Sequence, residues 1–273
     1  MSNDSASAQG LLVTNGILDE RPTRTIFTLP CGYWDPSSEQ LHQEVTLREM
    51  TGEEEDLLSD NQISFTLRLN AIFGACMTQL GDVPKHKIAR AVPMLPMGDR
   101  SYLLFALRRR SLGDTFPMRE RCESCGATHI HVFDLSLLPQ LPMPHPERRV
   151  YAVELPSGRS VVWHPMTGAD EVRKDKYKQQ LKSRSLSLFV RLEEVDGEPV
   201  TPDQVRRMSM RDRDYLRGQF SRFEGGVETS VEITCKSCGY EFERDIEPGS
   251  QGFFSPSEMQ EYEKRKAGTS ASP

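Results

Sequence analysis

The sequence predicts an α+β fold of two duplicated modules, each a hairpin followed by helices and closing on a Cys-x-x-Cys knuckle. Three observations predict it. Cys122-Glu123-Ser124-Cys125-Gly126 returns as Cys235-Lys236-Ser237-Cys238-Gly239. Met97-Gly98-Asp99-Arg100-Ser101-Tyr102-Leu103 matches Met210-Arg211-Asp212-Arg213-Asp214-Tyr215-Leu216 at five of seven positions, and both pairs of segments are offset by 113. Upstream, Met50-Thr51-Gly52-x-x-Glu55 matches Met166-Thr167-Gly168-x-x-Glu171 at an offset of 116, and Leu29-Pro30-x-Gly32 matches Leu155-Pro156-x-Gly158. Four landmarks recur in one order.

A Cys-x-x-Cys-Gly turn aims two thiolates at one point, and the glycine permits the tight backbone after the second. One knuckle supplies half of a tetrahedral shell; two supply all of it. Cys122, Cys125, Cys235 and Cys238 are therefore expected to share one structural Zn2+ in a zinc-ribbon-like site. The 109 residues between Cys125 and Cys235 make the metal close a long loop (235 − 125 − 1). Four sulfur ligands leave no open position for a substrate, and a redox dithiol would need no second pair. Four of the six cysteines sit in these pairs, and Met1 to Gly10 lacks a signal peptide's basic start and apolar centre. That favours zinc in a reducing cytosol over disulfides. Cys31 and Cys76 are expected to be ordinary buried thiols.

The modules are expected at 25–138 and 149–250, joined by a Pro-rich linker at 139–148. Residues 1–24, rich in Ser, Asn, Asp and Gly, are expected to be disordered, and 251–273 to hold a C-terminal helix and a disordered end. Thr25–Leu29 and Gln43–Leu47 predict a hairpin connected through Asp35-Pro36-Ser37-Ser38. Thr51-x-x-Glu54 is a capping box that starts an acidic helix through Leu58. Residues 63–80 fit a strand at Ile63–Leu69 and a helical stripe at Ile72, Phe73, Cys76 and Leu80, so both states stay open there. Lys85–Val92 predicts a helix stopped before Pro93. Asp99 is expected as the N-cap of a helix over Tyr102–Arg110, with Gly113 beyond its end. Thr128–Leu135 predicts a strand leaving the first knuckle.

In the second module, Val150–Leu155 and Ser160–Trp163 predict a hairpin, Thr167 starts a charged helix, and Leu186–Leu192 predicts a strand. Thr201-Pro202 opens a helix, Asp212 is expected to cap another, and Val227–Ile233 and Tyr240–Ile246 predict strands flanking the second knuckle. Ser255-Pro256-Ser257-Glu258 predicts a final helix to about Lys266. The expected core beneath each Asp-capped helix uses Tyr102, Leu103 and Leu107, or Tyr215, Leu216 and Phe220.

Other chemistry-bearing residues have plainer readings. His129 and His131 follow the first knuckle but nothing comparable follows Cys238, so they are expected to be strand residues. Duplication of Asp99-Arg100 and Asp212-Arg213 favours capping and a local ion pair over catalysis. Arg108-Arg109-Arg110 is expected to be a solvated helix end, and Trp34 and Trp163 to be packing. Phe253 and Phe254 either anchor a partner or, the favoured reading, fold back onto the second module's sheet. No phosphate-binding Gly loop, nucleophile elbow or His-Glu metal helix is present. The chain is not expected to be an enzyme. A formal charge of −6 argues against a dedicated nucleic-acid protein. The longest apolar runs, Ala71–Met77 and Tyr102–Leu107, fall far short of a membrane span.

One resemblance rests on Leu29-Pro30-x-Gly32, Glu44-Val45-Thr46-Leu47-Arg48-x-Met50-Thr51-Gly52-x-Glu54, the run Asp99-Arg100-x-Tyr102 to Arg108, Gly113-Asp114 and Cys122-x-x-Cys125. The chain resembles T4-type baseplate hub proteins, also called baseplate hub assembly chaperones, of contractile phage tails and contractile injection systems. The resemblance covers roughly residues 25–250 and implies a non-enzymatic assembly or structural role in the hub or baseplate. It implies partners among baseplate or hub proteins of a contractile tail, with no membrane, nucleic acid or small molecule expected. It also implies a cytoplasmic location during assembly, and leaves open both retention in the finished tail and phage versus injection system. A zinc-ribbon nucleic-acid adaptor is the alternative that fits the knuckles but not the charge; a thiol-based enzyme fits only the Cys-x-x-Cys pairs.

Overall fold

The computed structural model describes residues 24–249 and 252–254. The tail at 1–23 and the helix expected at 255–266 lie outside the described residues. The first half runs β1 (Ile26–Asp35), β2 (Gln40–Leu47), α1 (Gly52–Ser59), α2 (Phe65–Cys76), β3 (Met77–Leu80), α3 (Lys85–Ala91), α4 (Met97–Leu112), β4 (Thr115–Arg121) and β5 (Thr128–Asp134). The second runs β6 (Gln140–Leu141), β7 (Tyr151–Glu154), β8 (Ser160–Trp163), α5 (Gly168–Tyr177), α6 (Ser183–Phe189), β9 (Leu192–Val195) and β10 (Glu198–Pro199). It ends with α7 (Pro202–Arg207), α8 (Met210–Phe223), β11 (Gly226–Val227), β12 (Ser230–Thr234) and β13 (Glu241–Asp245). Helix and sheet are mixed throughout, as an α+β chain requires. Among the described residues no helix is long and apolar enough to cross a membrane.

Contacts divide the chain into two compact units, and each draws from both halves of the sequence. The larger contains Ile26–Leu103 and Gln140–Gly226; the smaller contains Leu104–Pro139 and the described residues from Val227 onward.

The larger unit holds two antiparallel sheets, in strand orders β1-β2-β3 and β10-β9-β8-β7. Each is built by the same local rules. β1 and β2 pair Phe27 with Val45, and both residues are buried. β7 and β8 pair Tyr151 with Trp163, whose rings stack at 4.8 Å above Phe220 and Phe223. Each central strand then pairs with a strand that follows a helix, and each pairing slips by one residue just before it ends, at Thr46/Leu47 and at Val162/Trp163. These positions are 116 apart (162 − 46).

The stretch at 63–80 resolves as helix followed by strand. Leu69, Ile72, Phe73 and Cys76 are the buried residues of α2, at the i, i+3, i+4, i+7 spacing of one helical face. The corresponding stretch of the second half corrects the strand expected at Leu186–Leu192. Leu186, Phe189 and Val190 are buried at helical spacing, α6 ends at Phe189, and the strand begins only at Leu192. A run of closely spaced apolar residues carries too little periodicity to separate the two states.

Thr51, Thr167 and Thr201 each form a capping box, with Glu54, Asp170 and Gln204 reaching back to the threonine amide. Two further caps differ from expectation. Asp99 lies inside the first turn of α4, and Asp212 inside that of α8, whose N-cap is Ser209. Each carboxylate instead accepts from an amide of its Leu-Pro-x-Gly segment, an irregularity within β1 in the first half and the β7–β8 turn in the second: Asp99 Oδ1 from Cys31 N at 2.7 Å, Asp212 Oδ1 from Ser157 N at 3.1 Å. No Asp-Arg ion pair forms at either place. Arg100 donates to Val92 O at 3.2 Å and Arg213 to Val205 O at 2.9 Å, each carbonyl eight residues back. Tyr102, Leu103, Leu107, Leu216 and Phe220 are buried as expected, but Tyr215 is 37% exposed. The segment expected as a linker holds Met143, which is buried and donates its amide to Pro30 O.

Candidate metal centre

The smaller unit brings together the four paired cysteines. β4 pairs with β5 from Thr115↔Asp134 to Arg121↔Thr128, and the first knuckle is the turn between them. β12 pairs with β13 from Ser230↔Asp245 to Thr234↔Glu241, and the second knuckle closes that hairpin. The two turns have one geometry. Cys122 N donates to Ala127 O at 2.8 Å and Gly126 N to Cys122 O at 3.0 Å; Cys235 N donates to Tyr240 O at 2.8 Å and Gly239 N to Cys235 O at 2.9 Å. Gly126 and Gly239 have φ of 74° and 72°, the left-handed conformation that a side chain resists. Strand β4, entering the first knuckle, was not expected from the sequence: Pro117 interrupts it and its outer residues alternate charge.

The thiols interleave across the knuckles. Cys122 Sγ lies 3.7 Å from Cys238 Sγ, and Cys125 Sγ lies 3.7 Å from Cys235 Sγ. All four sulfurs fall within 4.8 Å of one another. A disulfide would need about 2.05 Å, so these contacts are not disulfides. A tetrahedron with metal–sulfur bonds of about 2.3 Å has sulfur–sulfur edges of about 3.8 Å, close to what is seen. The donor set thus fits a four-coordinate thiophilic cation. Cys122 and Cys235 are buried; Cys125 and Cys238 are exposed.

The electrostatics lead to the same place. The Ser237 and Cys238 amides hold the Cys235 thiol down at about 6. Cys238 receives the Tyr240 amide, yet the sulfurs of Cys125, Cys235 and Cys122 push it up to about 11. Crowded sulfurs cannot all release protons without a cation among them. The Cys31 and Cys76 thiols, both in the larger unit, are buried and pushed up chiefly by that burial, Cys76 to about 12.

Four polar contacts also tie the hairpins together. Arg244 donates to Glu120 at 2.9 Å and to Glu123 at 2.8 Å, bridging across the knuckles. His129 Nε2 meets Ser237 Oγ at 2.9 Å, and Lys236 donates to Ile130 O at 3.0 Å. His129 and His131 are thus strand residues outside the sulfur cluster, and burial pushes His131 below its usual range. Nothing in the spacing of the sequence marks Arg244 as a bridge, because its partners lie more than a hundred residues away.

The arginine run also departs from expectation. Arg108 is 2% exposed, donating to Gly113 O, Thr115 O and Phe253 O, and Arg109 pairs with Asp114 at 2.6 Å. The carbonyls of Gly113 and Thr115, just beyond the end of α4, and of Phe253 need donors, and Arg108 supplies them. Phe253 is fully buried, packing on Phe105 and Phe116 with ring centroids 5.3 and 5.4 Å away. It folds back onto first-half residues rather than onto the second module's sheet. Trp163 is buried packing, as expected.

A family model described as T4 bacteriophage base plate protein matches residues 35–254, from the first hairpin through both knuckles to Phe254. The chain belongs to the T4 bacteriophage base plate protein family. No curated protein and no solved structure matches it significantly. The family match covers both knuckle hairpins, so the sulfur cluster belongs to the part of the base plate protein that the family model describes.

Proposed function

We propose that this base plate protein is a non-enzymatic assembly factor or structural component of the baseplate hub of a contractile tail, stabilised by a structural zinc. The observation that carries the reading is the family match across residues 35–254. Its partners on this reading are other baseplate or hub proteins, met during assembly. A non-enzymatic role is supported by the chemistry of the larger unit's cavity, which Cys31, Met97, Met166, Arg191 and Glu224 help to line. Arg191 and Glu224 are paired at 2.6 Å, and burial, reinforced by Asp99, raises the Cys31 thiol far from nucleophilic use.

We further infer that Cys122, Cys125, Cys235 and Cys238 bind one Zn2+ and that 25–138 and 149–250 are copies of one module. The sulfur geometry supports the first. The second is supported by recurring detail: capping boxes at Thr51 and Thr167, the Asp-to-loop bonds, the Arg-to-carbonyl bonds and two matched knuckles. Zinc here would cross-link the two knuckle hairpins.

Deleting the gene in its native cluster tests the assembly reading. Sheath and tube proteins should still be made while few complete baseplates assemble. Normal yields of complete, contracting particles would refute it.

A further inference from the structure

Helix α8, in the larger unit, presents one face that no described residue covers. Asp214, Tyr215, Gly218, Ser221 and Arg222 are all exposed. At about 100° per residue they fall within about 60° of Gly218 around the helix. The side chains of Asp214, Tyr215, Ser221 and Arg222 have no hydrogen-bond or ion partner among the described residues. A glycine in a helix interior weakens the helix, because it gives up the most backbone freedom on folding. Gly218 has no left-handed φ, and nothing lies within 4 Å of a Cβ built on it. No contact among the described residues therefore calls for glycine there.

The matching face of α4 is covered. At the offset of 113, Tyr102, Phe105, Arg108 and Arg109 stand where α8 has Tyr215, Gly218, Ser221 and Arg222. All four are buried in α4; Phe253 packs on Phe105 at 5.3 Å, and its carbonyl accepts from Arg108. In α8 the bulk of Phe105 and Arg108 gives way to Gly218 and Ser221, which leave room for another backbone to come close. This comparison uses the repeat reading; the exposure of the face and its unpaired side chains do not.

We propose that α8 of one copy packs antiparallel on α8 of a second copy, about a twofold axis at Gly218. Such pairing sets each position opposite the one equally far on the other side of the axis. Asp214 and Arg222, four residues either side, then meet as two ion pairs between copies. Tyr215 and Ser221, three residues either side, meet as two pairs of hydroxyls. Arg211, exposed on the same face seven residues before Gly218, reaches the end of the second copy's α8, whose last carbonyls lack helical partners. A cation in the first turn of its own helix is unfavourable, whereas one at the C-terminus of another helix is favourable. The same patch serves on both copies, so the contact is isologous and closes at two chains.

Sedimentation equilibrium of the full-length chain tests this. The mass should rise with concentration from one chain to two and stop there. One helix pair makes a small interface, so the dissociation constant should lie between about 1 μM and about 1 mM. Gly218→Gln should weaken association at least about tenfold, because its side chain holds the helices apart, yet melt no lower than the wild type, because glutamine favours helix. Asp214→Arg and Arg222→Asp should each weaken association by setting like charges opposite one another, and each should melt like the wild type at its exposed position. Mixing these two variants is decisive, because each offers at both positions the charge that the other needs. The mixture should form dimers of one chain of each kind about as tightly as the wild type does. A wild-type dissociation constant weaker than about 1 mM, assembly beyond two chains, or variants that associate as the wild type does would overturn the proposal. So would a mixture that pairs no better than either variant alone. None of these results bears on the zinc or baseplate readings, which metal content and particle yield decide.

Discussion

Asp99→Asn should stabilise this base plate protein at alkaline pH and hardly at all in acid. Asp99 is completely buried, and that burial is the main cause that pushes its pKa up to about 7, against the lowering effect of the Cys31 and Gly32 amides and of Arg149. Its Oδ2 has no hydrogen-bond partner. An acid with a folded pKa of about 7 and an ordinary value of 3.8 holds its proton more tightly in the folded chain, by on the order of 4 kcal/mol. The folded state then binds more protons than the unfolded state between those values, so stability falls as pH rises from about 4 to about 7. Asparagine keeps an oxygen for the Cys31 amide and removes the charge. The stability difference between variant and wild type should therefore grow across that window and level off above about pH 8. Asp212 supplies the control with the opposite sign. Burial raises its carboxyl, but the Ser209 and Ser157 hydrogen bonds outweigh that and hold it below the usual range. Asp212→Asn should cost stability at neutral pH, and the cost should fade as pH falls through the range where Asp212 gains its proton. Urea titrations from about pH 2 to about pH 8.5 measure both. Parallel pH profiles for Asp99→Asn and wild type would refute the reasoning.

Three other outcomes follow from the smaller unit. Cys235→Ser should abolish stoichiometric zinc and lower the melting temperature strongly, since structural zinc in peptides is worth roughly 10–16 kcal/mol of apparent binding energy; full metal retention with unchanged melting would require another ligand set. Phe253→Ala should cost about 3–5 kcal/mol in chemical denaturation, because the ring is fully buried against Phe105 and Phe116. Arg244→Ala should cost less than about 1 kcal/mol and leave metal content unchanged, because its bridge to Glu120 and Glu123 is partly solvated; loss of zinc in that variant would show that the bridge holds the knuckles for the metal.

Local features of the chain were legible because they depend on neighbouring residues. The capping box at Thr51, the helix start at Thr201, the hairpins and the two knuckles follow from spacing alone. Four cysteines converging within 4.8 Å were also legible, because two half-shells at one repeat offset have an obvious joint use. What failed were features decided by distant partners. Arg108 reads as solvated until Phe253, 145 residues away, offers its carbonyl. Asp99 reads as a helix cap until Cys31, 68 residues back, is found to use it. The helix at Ser183–Phe189 failed for another reason, since seven residues hold barely two turns of periodicity.

The recurring Asp-Arg pair is best understood as a brace, and the contrast between its two occurrences carries that conclusion. A catalytic dyad would keep the two side chains in contact with each other and open to substrate. Here Asp99 and Asp212 each turn to a Leu-Pro-x-Gly segment, while Arg100 and Arg213 turn to a carbonyl eight residues upstream. The bonded residue is Cys31, within β1, in one half and Ser157, in a turn, in the other, and each donates its backbone amide. The same holds at the helix entry, where Arg48 pairs with Glu54 at 2.7 Å and, 116 residues on, His164 meets Asp170 at 3.1 Å. Side chains change while the bond they make stays in place. Asp and Arg, which must reach a fixed backbone target, are the same residue at both places. Arg48 and His164, which reach a carboxylate, differ. Sequence identity between the halves therefore marks where geometry is least forgiving.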